Sequence, residues 1–251
     1  MTASRVLIGL LAVLAGSVLP GSQSQSEAMA SPLLVLHNPT FDFGYIPQRS
    51  HVSHRFWVHN GGDAPLTIER IDVGCWCTST SDVNDPIPPG DSAAILVTLN
   101  TSIIQGHVRK WIKVFTSIAR EEHERLWIRG YVLTDNEPTG VYRVTPSTLK
   151  WPLIRTDSAE GWVTAPLDRA HFDVANLTDV DVTLDASVCC SPCMDSVIAP
   201  PVLAANSKAQ VIVYTKALAD SATCAAPSVT LSMIARDTTR ITVPIVIHWT
   251  E

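Results

Sequence analysis

Positive charge is scarce in this chain. Lys and Arg number 18 against 24 Asp and Glu, a net charge of −6. No basic surplus is left to neutralise phosphates, so nucleic acid is not an expected partner. Long apolar runs are scarce too. The most apolar stretch, Val6 to Leu19, has 14 residues, short of the roughly 20 that a membrane-spanning helix needs. Catalytic signatures are missing: there is no G-x-S-x-G elbow, no H-E-x-x-H pair and no glycine-rich phosphate loop. No Ser/His/Asp set stands out, so an enzyme is not expected and neither is a cofactor.

What the sequence does hold is strand-forming. Thr, Val and Ile are plentiful, and 17 prolines and 12 glycines punctuate the chain, which favours a strand-rich fold over a helical bundle. The apolar run after Arg5 has the length of a signal-peptide core, and Ala28-Met29-Ala30 is a small-x-small site before Ser31. Residues 1–30 are therefore expected to be a cleaved secretory signal. No cysteine follows the run, so a lipid anchor is not expected. The mature chain should be exported, to periplasm or exterior, with no transmembrane segment.

Export sets how the cysteines are read. Cys75, Cys77, Cys189, Cys190, Cys193 and Cys224 are an even set in an oxidising compartment, which makes all six disulfide candidates. Cys75-Trp76-Cys77 is the sharpest local feature. On a strand, residues i and i+2 share a face, so the two sulfurs converge on each other or on one ion. Three readings stay open: a disulfide, half of a copper or zinc thiolate site, and a redox dithiol. Further ligands in the same half would come from His51, His54, His59 or His107, although single histidines of this kind are more often surface or edge residues. Cys190-Ser191-Pro192-Cys193 has thioredoxin-like spacing, but no βαβ pattern surrounds it, and a bridge from Cys189 or Cys193 to Cys224 is the plainer expectation.

Short strands separated by turn signals run through residues 33–133. His51–His59 places Val52, His54, Phe56 and Val58 on one face. Asn60-Gly61-Gly62-Asp63-Ala64-Pro65 and Pro86 to Asp91 are turns. Strands are expected over Leu66–Val73, Ser92–Leu99, Val108–Thr116 and Leu126–Leu133. Residues 141–251 echo this order at an offset near 114–116: His54–Asn60 aligns with Ala170–Asn176, and Ala94–Thr98 with Gln210–Tyr214. The expectation is all-β, with two tandem immunoglobulin-like β-sandwiches joined by a linker at Thr134–Gly140.

The motifs of the first half resemble a family. Phe41-Asp42-Phe43-Gly44-Tyr45-Ile46-Pro47, Asn60 to Leu66, Cys75-Trp76-Cys77-Thr78 and Ile87-Pro88-Pro89-Gly90 are similar to the exported bacterial immunoglobulin-like domains of unknown function, allied to the Hydin-type group. Trp76 stands where that family usually has glycine. The resemblance implies a seven-stranded sandwich and export, and no activity. The expected role is non-enzymatic binding or assembly at the cell envelope, with an envelope protein or glycan as partner. The alternative is a metal or thiol protein using Cys75 and Cys77. Trp57, Trp111 and Trp127 would form a partner or glycan platform if they shared an exposed face.

Overall fold

The computed structural model describes residues 30–118, 123–134, 141–154, 169–189, 194–215 and 227–250. The apolar run expected to be a signal-peptide core, most of the expected linker, and Cys190, Cys193 and Cys224 lie outside them. Every regular element among the described residues is a strand, and none of them forms a helix long and apolar enough to cross a membrane.

The first half contains β1 (Leu34–Leu36), β2 (Thr40–Pro47), β3 (His51–Asn60), β4 (Ile68–Val73), β5 (Thr78–Thr80), β6 (Ser92–Asn100), β7 (Gly106–Thr116) and β8 (His123–Leu133). The second contains β9 (Tyr142–Thr145), β10 (Leu149–Ile154), β11 (Arg169–Asn176), β12 (Val182–Cys189), β13 (Met194–Ile198), β14 (Val202–Leu203), β15 (Lys208–Thr215), β16 (Ser228–Ile234) and β17 (Thr238–Thr250). Two four-stranded sheets, β1-β3-β6-β5 and β13-β15-β11-β9, pack on one nine-stranded sheet ordered β14-β12-β16-β17-β2-β8-β7-β4, with β10 beside β17.

The pairing pattern occurs twice. Phe56 of β3 faces Ile95 of β6, and 116 residues on, Phe172 faces Val211. Ile71 of β4 faces Val114 of β7, and at the same offset Ser187 faces Thr230. Each half has its own apolar core. Phe43, Phe56, Leu99 and Ile112 are at the centre of one; Trp151, Phe172, Leu231 and Met233 are at the centre of the other. Alternation along each strand produces these cores, since successive side chains point to opposite faces.

One residue type closes a turn in both halves. Asn60 and Asn176 are fully buried. The Asn60 Nδ2 donates to the carbonyls of Ala64 and Ile87 at 2.8 and 2.9 Å, and its Oδ1 accepts from the Gly62 N–H at 3.0 Å. The Asn176 Nδ2 donates likewise to Val180 and Leu203 at 2.8 and 3.2 Å, and its Oδ1 accepts from the Thr178 N–H at 3.0 Å. A buried amide satisfied on both sides pins the chain leaving one strand to a loop far along the sequence.

The halves meet where β2 runs parallel to β17, with Tyr45 opposite Ile241. Gly44 has φ +66, and a Cβ there would overlap the Arg240 carbonyl. Only glycine accepts that backbone at that distance. Its neighbour Phe43 accepts a hydrogen bond from the Thr242 hydroxyl at 2.7 Å, and Tyr45 packs against the second core.

Candidate functional site

β4 ends where its last backbone bond is made: the Gly74 N–H donates to the Trp111 carbonyl at 3.1 Å. A Cβ on Gly74 would come within 2.6 Å of the Trp111 indole, so glycine is what lets that ring lie against the backbone. The chain then turns. The Thr78 N–H donates to the Cys75 carbonyl at 3.0 Å, which makes Cys75–Thr78 a β-turn with Trp76 and Cys77 at its centre. The expected placement of the two cysteines on a strand therefore does not hold. The turn brings them together instead: their Sγ atoms are bonded at 2.11 Å across a Cα separation of 5.1 Å.

The two sulfurs sit in different surroundings. Cys77 is buried in the first core, and its carbonyl accepts from the Asn100 N–H at 2.8 Å. Cys75 is half-buried. Trp76, between them, is 75% exposed. The result is an indole held out at the end of a short covalent ring whose far side is rooted in the core.

The expected histidine ligands do not gather there. His51 is exposed at the start of β3. His59 Nδ1 lies 3.1 Å from the Ser92 hydroxyl, and His107 packs edge-on to Tyr131 at 4.9 Å. His54 is no surface histidine: it stacks on Phe41 at 3.6 Å and meets the edge of Phe56 at 4.6 Å. Burial, and then the Arg240 charge, lower its pKa from 6.5 to about 4. Among the described residues, no group of three or more His, Cys, Asp or Glu is placed to hold a metal.

In the second half, Cys189 closes β12 opposite Ser228 and is disulfide-bonded, with a partner outside the described residues. The Asn176-Leu177-Thr178 sequon has its amide nitrogen committed to buried carbonyls, so the side chain is not presented for glycosylation.

The tryptophans separate by face. Trp57 is 57% exposed on the outer side of the first four-stranded sheet, away from the other two. Trp111 and Trp127 stand directly opposite each other on the nine-stranded sheet. They are the middle of five cross-strand rows: His107 with Tyr131, Arg109 with Arg129, Trp111 with Trp127, Lys113 with Arg125, and Phe115 with His123. Aromatic and cationic rows alternate. The Arg109 guanidinium lies 3.9 Å over Trp127, the Lys113 ammonium 4.9 Å over Trp111, and the Arg70 guanidinium of β4 lies 4.0 Å over Phe115. The pattern is present in the sequence as alternate residues of His107–Phe115 and His123–Tyr131. Finding it requires the pairing register, which no local signal supplies.

Residues 34–132 match the family described as "Protein of unknown function (DUF1573)". That is the half carrying the disulfide turn and the rows. No curated protein sequence matches the chain. Among solved structures, a protein of unknown function from Porphyromonas gingivalis W83 is similar at 12% identity, over 85% of this chain and 99% of that one, with a TM-score of 0.34. The Pseudomonas aeruginosa CupB2 chaperone is similar at 15% identity, over 84% and 98%, with a TM-score of 0.30. The periplasmic chaperone SfaE is similar at 10% identity, over 86% and 100%, with a TM-score of 0.32.

Proposed function

We propose that this chain is an exported, non-enzymatic binding or assembly protein of the cell envelope, built from two immunoglobulin-like modules. It docks a partner protein through the turn at the end of β4. The observation that carries this reading is Trp76, three-quarters exposed and flanked by two bonded cysteines. Tryptophan is one of the residues enriched among the hot spots of protein interfaces. An anchor already held in place loses little freedom on docking, so more of its buried area appears as affinity.

The test is Trp76→Ala in the full chain, expressed with its leader, with envelope partners cross-linked and quantified against the parent. The side chain is mostly in solvent, so unfolding free energy should change by no more than about 0.5 kcal/mol. Cross-linked partner should fall at least tenfold. Equal capture by parent and variant rejects the turn as the docking site.

The same pair supports a second reading, a thiol function, because Cys75 is half-buried rather than sealed in the core. Reduction of the pair by mild reductant in the folded protein, with metal then bound by the free thiols and lost when both are alkylated, would favour that reading over docking.

A further inference from the structure

The rows on β7 and β8 are a separate feature from the Trp76 turn. We propose that this face binds a linear anionic polysaccharide, bearing carboxylate or sulfate groups, laid along the two strands.

Charge is the first argument. Two acids on the face are paired: Asp42 with Arg129 at 3.0 Å, and Asp72, which stands opposite Lys113, with Arg70 at 2.9 Å. Both are committed to those arginines. Exposed Glu69 sits beside Arg70 at the β4 bulge, and the cations outnumber these acids. Arg109, Lys113 and Arg125 form no ion pair among the described residues. A positive strip therefore stands on a chain whose net charge is −6, and such a strip concentrates anions at its own surface.

Order is the second. Arg109 rests on Trp127, and Lys113 on Trp111, whose indole lies against Gly74. Cation–π contact fixes where the charges sit. Rows two residues apart are separated by about 7 Å, so the two cationic rows lie about 14 Å apart and the five rows extend about 27 Å. The strip ends at the junction of the halves, in an open groove of about 760 Å³ that Arg240 and Tyr45 also line. A linear polyanion with charges at intervals meets successive cationic rows along this path, and its end reaches the groove.

The same geometry disfavours other polyanions. Single-stranded nucleic acid binds by stacking bases on free aromatic faces, and here cations rest on the indoles. An acidic peptide gains affinity by adding a strand at a sheet edge, whereas β7 and β8 already pair with each other and with β4 and β2. What remains is recognition by side chains alone. That suits a stiff sugar chain whose acidic groups meet guanidinium donors and whose C–H faces lie along the aromatic edges.

The experiment measures binding of the full chain to polygalacturonate and to heparin in 50 mM salt, with oligodeoxythymidylate and polyglutamate of matched charge as comparators. Binding to either polysaccharide at least tenfold tighter than to both comparators supports the proposal, and the tighter of the two identifies the anion. The double change Arg109→Ala with Lys113→Ala should weaken binding at least tenfold and flatten its salt dependence. Exposed Arg125→Glu should do the same without disturbing a cation–π contact, and Trp57→Ala on the opposite sheet should leave binding unchanged. Polyglutamate or the oligonucleotide binding as tightly as the polysaccharides overturns the proposal, as does binding that survives Arg125→Glu. Trp76→Ala leaves this site intact, so failure here and failure of partner docking are distinguishable.

Discussion

Acidifying this protein should destabilise it through one imidazole. His54 lies between Phe41 and Phe56, and its pKa is lowered to about 4, first by burial and then by the Arg240 charge. The unfolded chain would hold the same group near 6.5. Between those values the unfolded state binds more protons, so stability is complete above about pH 6.5 and falls as pH drops toward 4. At pH 5 the loss relative to pH 7.5 is about 2 kcal/mol, rising to about 3 kcal/mol below pH 4. Urea unfolding at pH 5.0, 6.0 and 7.5 measures it, comparing the parent with His54→Phe. Phenylalanine keeps the flat stack on Phe41 and carries no proton. The parent should lose about 2 kcal/mol more than the variant over that range. Equal losses in the two proteins would show that His54 is not the group responsible and that its folded environment tolerates the charged ring.

Three further predictions concern positions that hold the fold together. Asn60→Ala removes the side-chain donor to the Ala64 carbonyl, leaves the Ile87 carbonyl only the Leu66 N–H, and takes the acceptor from the Gly62 N–H; it should cost about 2–4 kcal/mol. Asn176→Ala should cost a similar amount, with the loss reported by hydrogen exchange in the second half rather than the first. Gly44→Ala forces a side chain into the left-handed region and onto the Arg240 carbonyl, and should cost about 2 kcal/mol or more. Its signature is early loss of protection at Tyr45 and Ile241, where the halves pair.

Strand positions were legible because burial alternates as the residues do: Val52, Phe56 and Val58 are buried while Trp57 points out. The matched spacing of Phe56 and Phe172 is legible for the same reason, since each faces a strand partner 39 residues further on. Asn60 read only as a turn former, because a polar residue at a strand end gives no hint that its amide will be buried against a carbonyl 27 residues away. Cys75 and Cys77 read as strand neighbours, yet the strand ends at Val73, two residues before Cys75, where Gly74 meets the indole across from it. The cationic and aromatic rows depend on which residue of β8 faces which of β7, a matter of long-range pairing. The junction at Gly44 and Arg240 joins positions almost 200 residues apart, and no periodicity reports contact over that span.

In each half the chain enters the shared sheet by one strand and leaves the half by that strand's parallel neighbour: β2 beside β8, and β10 beside β17, with six register pairs in each case. Parallel neighbours begin at the same end. A pull on the start of one and the finish of the other therefore slides them lengthwise past each other, and the bonds between them must give way together. An antiparallel pair pulled from its open end would instead unzip one bond at a time. Tension passed along this polypeptide meets that sliding arrangement twice in series, so both halves are built to bear a stretching load along the direction in which the chain runs through them.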